Sequence, residues 1–391
     1  MIWLVFLIPL CAIAFAAINY PKNMNVLEYV LLLIIPAICI GIGKWGSVYT
    51  QTKDTEYWNT YATHAMYEEE WKEQWEESHT ETTTDSDGNT HSRTYWTTET
   101  KRHPEEWTLF DDIGKPYPIS SQYFEELCEL WSNKNFKEMD RKHTSSKRSE
   151  SSHKILKDGD AYVTKYDNKF EHTVSICTLH TYKNKIQCSK SVFNFDEVSP
   201  ETISQYGLFE YPPEDIHNFN PILGYQSKPA TQLLRAYNAH NGARKQLHMM
   251  LLVFKDQPLE AAVFQESYWK GGNKNEFLVC VGLSGTNLTW TKVISWTEQE
   301  TLKIRVAREI KEMKSFNAVQ VVRYMGENIP KEFIRKEFAD FSYLSVEPTM
   351  TAIMITLLIT TITTIGIMIY SISNNYEFGS FIHRNRYRNR W

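Results

Sequence analysis

The stretch Val26 to Gly43, VLEYVLLLIIPAICIGIG, holds eighteen residues and a single charge, Glu28, near its start. As a helix rising ~1.5 Å per residue it would measure about 27 Å, close to the thickness of a hydrocarbon core. Glu28 then lies at the edge of the span, within reach of headgroups. A carboxylate at the midplane would cost several kcal/mol and would mark function. Pro36 here and Pro9 upstream are tolerated in membrane helices and are assigned no mechanism.

Working outward, Ile2 to Ile18 (IWLVFLIPLCAIAFAAI) is uncharged and is joined to the second run by a loop too short for a domain. The two therefore predict a helical hairpin in the bilayer. A cleaved signal peptide is the other reading. It asks for positive charge before the apolar run, whereas Lys22 follows it, and only Ala14, Ala16 and Ala17 resemble a cleavage site. Near the other end, Met350 to Ile369 (MTAIMITLLITTITTIGIMI) is also uncharged. Its threonines can return hydrogen bonds to the preceding turn or to a neighbouring helix. The chain of 391 residues thus concentrates its apolar runs at both ends, and its mean hydropathy of −0.44 conceals that segregation. A simple soluble enzyme is excluded. The net charge of −5 argues against nucleic acid as a partner, because phosphate binding needs a basic surface.

Orientation follows from basic residues near the spans. Arg384, Arg386, Arg388 and Arg390 in the tail 371–391 predict a cytoplasmic C-terminus. Three spans (1–19, 26–43 and 350–370) then put the large middle segment outside the cytoplasm. Lys331, Arg335 and Lys336 weaken that bias, but they are interspersed with Glu332 and Glu337.

The middle segment divides by pattern. Residues 44–228 read as an acidic, aromatic, β-rich region, although EYWNTYATHAMYEEEWKEQWEE fits either a helix or two strands. Threonine-rich arms around Asp87, Gly88 and Asn89 predict a hairpin rather than a calcium loop, since glycine and glutamate miss the positions an EF-hand requires. Tyr123, Leu127, Leu130 and Trp131 fall at helical spacing behind a serine cap. Cys177 and Cys188 flank a turn around Tyr182 to Lys185. A two-residue hairpin loop would place them opposite each other, leaving a disulfide or two buried thiols as alternatives. Cys11 and Cys39 lie in the spans, and no CxxC spacing supports zinc or redox chemistry.

Residues 229–345 alternate strands and helices: a helix from Thr231 to Ala243, a buried strand His248 to Phe254, a helix opened by Pro258 and ended at Gly271 and Gly272, and a buried strand Glu276 to Leu283. TWTKVISW follows as a further strand. Thr297 and Glu300 then predict a capping box, and Pro330 a short helix turning Phe333, Ile334 and Phe338 inward. The fold class expected is therefore α+β, with three transmembrane helices, an N-terminal β-rich part and a C-terminal α/β sandwich.

The series LLVFKDQPLEAAVFQESYWKGGNKNEFLVCVGL resembles the central part of the TPM domain, a family of membrane-anchored, mostly extracytoplasmic α/β modules. The resemblance, around residues 249–283, implies that the α/β sandwich of residues 229–345 is TPM-like. The acidic positions that carry metal or phosphatase chemistry in some members have no counterparts here, so no catalytic residue is carried over. RHPEEW, LWSNKNF, KDGDAYV, YWKGGNKNEF and KEFADFSYLSVEP resemble segments of membrane proteins that recur in tailed-phage and bacterial genomes. That likeness implies a host-envelope or virion-membrane setting and brings no activity.

No catalytic motif, metal-ligand spacing or cofactor fingerprint occurs. Two features remain. Gly271, Gly272 and Asn273, with Asn275 and Glu276, read either as an anion-binding turn or as a plain helix cap. Trp58, Trp71, Trp75, Trp96 and Trp107 read either as the core of a small sheet resting at the membrane interface or as a protein-binding face. The expectation is a membrane-anchored interaction or regulatory module whose partners are the bilayer and another membrane or envelope protein, with homo-oligomers possible. The opposing expectation is an envelope hydrolase, a metal-dependent phosphatase of TPM type, which would show a concave acidic site near Glu276. A pore would need oligomerisation, because one peripheral acid offers little polar lining.

Overall fold

The structure, a computed structural model, describes residues 2–20, 24, 26–84, 88, 90–131, 137–139, 154–188, 195–337 and 341–374. Arg384, Arg386, Arg388 and Arg390, Lys22, the turn residues Asp87 and Asn89, and Phe338 lie outside the described residues. The described chain mixes helix and sheet and forms two compact units.

The first unit comprises residues 1–55, 181–196 and 337–391. It contains three helices long and apolar enough to cross a membrane. A 3-10 turn Ile2–Phe6 leads into α1 (Leu7–Asn19), followed by α2 (Val26–Thr52), and the last helix is Met350–Asn374. Their outward faces are apolar and exposed, as at Leu4, Ile34, Ile42, Leu358 and Ile362. Leu32, Pro36 and Ile40 form the buried stripe of α2, while Thr356, Thr360 and Thr364 form that of the last helix. Four-residue spacing puts each set on one face. Some of the threonines return their hydroxyls to the preceding turn as expected, Thr356 to Ala352 O at 2.7 Å and Thr361 to Leu357 O at 2.8 Å. The helix α2 does not stop where its apolar run stops at Gly43 but continues to Thr52 and enters β1 directly.

The second unit comprises residues 56–180 and 197–336. The segment left open between helix and strands forms β1 (Lys53–Glu68) and β2 (Trp71–Thr84), and β2 pairs along its whole length with β3 (Thr90–His103) in the expected hairpin. Next come β4 (Glu106–Asp111), β5 (Pro116–Pro118), α3 (Ser121–Leu130), β6 (Lys137–Met139), β7 (Lys154–Lys157), β8 (Ala161–Lys165) and β9 (Ser175–Lys183). Ser120 caps α3 by accepting from Tyr123 N at 3.1 Å. The order β5-β4-β1-β8-β6 makes an antiparallel sheet with β9 also pairing β1, and β7 joins the ribbon beside β2. Leu109, Phe124, Leu127, Trp131 and Ile176 form the core between α3 and this sheet.

After α4 (Pro200–Tyr206), the strands β10 (Ile222–Leu223), β11 (His248–Lys255), β12 (Glu276–Ser284) and β13 (Asn287–Ser295) make a four-stranded sheet, parallel except for the β12–β13 hairpin. The helices are α5 (Lys228–Lys245), α6 (Glu260–Tyr268), α7 (Glu300–Glu312) and α8 (Ala318–Glu332), which makes the last membrane-length helix α9. Alternation along β11 explains why its sequence is continuously apolar: both of its faces are covered. Met249, Leu251 and Val253 meet the cluster built with α5, α7 and α8, while Met250, Leu252 and Phe254 meet the cluster on the opposite face.

That second cluster also takes Tyr57 of β1 and Phe219. The boundary expected at 228/229 therefore does not separate two cores. The capping box also differs. Thr297 donates its hydroxyl to Ile334 O at 3.0 Å, and α7 opens three residues later without a side-chain cap. Pro330 falls in the last turn of α8 rather than at the start of a helix. Phe333 is buried beyond it, while Ile334 is half exposed.

Candidate functional site

The turn after α6 was the leading ligand candidate in the sequence. Lys270 and Gly271 adopt positive φ of 50° and 84°, and Gly271 N reaches back to Glu266 O at 2.8 Å. That bond ends the helix. Glu276 is fully buried. It accepts from Asn273 N and Asn273 Nδ2, both at 2.8 Å, and from Tyr211 OH at 3.1 Å. Gly272 is required at close quarters, since a Cβ there would press on the Glu276 carboxylate.

The rest of the turn holds β1. Lys274 Nζ lies 3.4 Å from Oε1 of Glu56, a carboxylate with no exposed surface that also accepts from Trp58 Nε1 at 3.1 Å. Asn275 Nδ2 donates to Tyr57 O at 2.7 Å, and Asn275 O accepts from His248 N at 2.8 Å. The motif KGGNKNE is thus a fastening between the two sheets of this unit.

The five tryptophans do not converge. Trp107 stacks on Tyr67 with ring centroids 5.1 Å apart, against the core under α3. Trp58 stacks on His180 at 4.1 Å and Trp71 on His103 at 3.7 Å. In the β2–β3 register Ser78 faces Trp96 and Trp75 faces Glu99. Side chains alternate along a strand, so Trp96 projects from the face opposite Trp71 and Trp75. One continuous aromatic patch is not formed.

The cysteine hairpin is not formed either. β9 ends at Lys183, and the chain turns into a short 3-10 segment, Ile186–Cys188, instead of a returning strand. Neither cysteine is in a disulfide. Cys177 is buried and burial pushes its thiol far up, whereas the Cys188 thiol sits 2.8 Å from Gln51 O.

What sequence reading missed is a cleft of about 860 Å³ between α3, the strand approach at Thr173 to Ser175 and the first turns of α5. Tyr123, Glu126, Asn218, Gln232, Lys228 and Arg235 are among the side chains that line it. A smaller cavity of about 610 Å³ shares Tyr123, Glu126 and Asn218 with it. Arg235 is held by donation to His217 O, and burial lowers its pKa from the ordinary value. Tyr123 is raised, chiefly by burial. The lining mixes amides, hydroxyls and both charges, and includes no histidine or cysteine in the larger cavity. Arg235 gives no signal in the sequence because it sits among the buried residues Leu234 and Ala236 of an ordinary helix.

Among the described residues, no group of three or more His, Cys, Asp or Glu is placed to hold a metal ion. No family model, curated protein or solved structure matches this chain.

Proposed function

We propose that this chain is a membrane-anchored binding module. The three apolar helices tether it, and the cleft beside α5 receives a polar segment of another membrane or envelope protein. The observation that carries this reading is the cleft itself: it is large enough for several side chains and is lined by amide, hydroxyl and charged groups. The hydrolase reading draws less support, because Glu276 is already consumed by Asn273 and Tyr211. The basic tail supports an extracytoplasmic second unit, and the phage-like segments suggest a host envelope or virion membrane as its setting.

The test uses the full chain in cells. A photo-crosslinking residue replaces Gln232, which is exposed at the cleft, and a compartment-specific reporter is inserted beside Gly88 in a separate fusion. Discrete protein adducts that disappear with Arg235→Glu are expected, together with an extracytoplasmic reporter signal. No adducts at Gln232, with phosphatase activity that survives Arg235→Glu, would return the hydrolase reading.

A further inference from the structure

The hairpin of β2 and β3 keeps one uninterrupted register from the Trp71–His103 pair to the Thr84–Thr90 pair. β7 joins only its base, opposite Lys72 to Gln74. Among the described residues β2 is the one strand beside β3, so the outer edge of this 14-residue strand is open. The backbone N–H and C=O groups of such an edge are a template for another strand, and proteins blunt it with a proline, a bulge, a short strand or a central charge. The middle of β3 has none of these. Thr94, Tyr95, Trp96, Thr97 and Thr98 are β-branched or aromatic, and all are uncharged. Tyr95 is 44% exposed and Trp96 65%.

The charges on β3 indicate what fits that edge. Trp96 stands at its middle, with Arg93 three residues before it and Glu99 three residues after it. Laid antiparallel beside a second β3, about a two-fold axis at Trp96, the strand sets each Arg93 opposite Glu99 of the other copy and the two Trp96 rings opposite each other. Arg93 and Glu99 project from one face and Trp96 from the other, so the ion pairs and the ring pair do not compete for space. No position then sets two glutamates, or two of Arg93, Lys101 and Arg102, against each other. Centring the pairing on Thr97 would set Arg93 against Lys101, and centring it on Tyr95 would part Arg93 from Glu99. β2 offers no such match. It carries Glu73, Glu76, Glu77 and Glu81 with Lys72 as its only lysine or arginine, so two copies of β2 would repel each other.

We propose that the outer edge of β3 is a homodimerisation edge, through which two copies of this chain join their β2–β3 ribbons into one antiparallel four-stranded sheet. A two-stranded ribbon is marginally stable by itself in water, and the added strands give the part of the ribbon beyond β7 the neighbours it needs. The contact uses the same edge on both copies, so it closes at two chains. It does not involve the cleft beside α5 and stands whatever that cleft receives.

The test uses the full chain purified in detergent micelles and follows the monomer–dimer equilibrium by sedimentation velocity. A dimer that dissociates on dilution is expected. Arg93→Glu and Glu99→Arg each set like charges opposite each other at two positions, and each should weaken the dimer roughly 10-fold. Mixing the two variants should restore it as a heterodimer, because both positions then carry opposite charges, and a misfolded chain could not be rescued in this way. Thr94→Cys and Thr98→Cys test the register. Mixed and mildly oxidised, these two chains should form an interchain disulfide located by peptide mapping, and neither should form it alone. A chain that stays monomeric at every concentration, or a dimer that both charge variants leave unchanged, overturns the pairing. Absence of the mixed disulfide in a dimer overturns the two-fold at Trp96. Assemblies that grow beyond two chains would mean that β3 takes the open edge of β2 in the next copy, and would overturn the closed dimer.

Discussion

Lys274, in the turn between α6 and β12, lies 3.4 Å from Glu56 of β1, and the carboxylate it meets has no exposed surface. The pair explains why this glycine-rich turn is so fully specified. A buried carboxylate is tolerated only with a charged partner and hydrogen bonds, and the turn delivers the amine to where β1 needs it.

Lys274→Ala leaves Glu56 buried with Trp58 and the half-exposed His180 as its remaining partners. The expected loss is about 3 kcal/mol in the stability of the second unit, read by denaturant unfolding of the solubilised chain. Lys274→Met combined with Glu56→Gln should recover most of it, because no charge is then left alone. A loss below about 0.5 kcal/mol for Lys274→Ala would show that the pair is solvated and does not fasten the sheets.

Gly43 of α2 sits where any side chain would collide with the Thr356 hydroxyl of α9, whereas Gly41 has open space around its Cβ position. Gly43→Val should therefore separate the two helices, at a cost of about 1 to 3 kcal/mol, while Gly41→Val stays close to neutral. Thermal unfolding in detergent micelles reads the difference. Equal effects at both positions would mean that the helices do not pack through this contact.

The three long apolar helices were legible because a run of eighteen or more apolar residues, such as Val26 to Gly43, forms a helix of membrane-crossing length without help from the rest of the chain. The buried strands β11 and β12 were legible for a similar reason: being covered on both faces makes a strand continuously apolar. The hairpin of Cys177 and Cys188 failed because local alternation cannot tell a returning strand from a chain that leaves the sheet. Its true partner is β1, more than a hundred residues upstream, where Asp54 waits for Tyr182. Thr297 was misread similarly, since its hydroxyl answers Ile334 rather than its own helix. The cleft at Arg235 depends on pairings distant in sequence, and no single segment displays it.

Because Cys177 is buried and Cys188 is not, alkylation should separate them. In the folded chain a maleimide should label Cys188 and spare Cys177, whose thiol is both inaccessible and far from ionising. Denaturation should expose Cys177 at once, and prior reduction should not alter the melting temperature. A shift of several degrees on reduction, with peptide mapping of a 177–188 link, would contradict the separation of these two strand ends.

His248 at the head of β11 is fully buried against Tyr57 and Phe219, with Nδ1 2.5 Å from Asn59 Oδ1, and burial holds its pKa at about 3. The unfolded ring has its ordinary pKa near 6.5. Above that value both states are neutral, and the contribution to stability is fully present. Below it the unfolded chain takes up a proton that the folded chain refuses, so stability falls as pH drops from about 6.5 towards 3. The slope from this ring alone is about 1.4 kcal/mol per pH unit. His64, His217 and His240 are lowered by burial as well and add to the same direction. Between pH 6.5 and 5, above the range where most carboxylates titrate, His248→Gln should remove close to one proton from the slope of unfolding free energy against pH. An unchanged slope in that variant would show that the ring is protonated inside the fold.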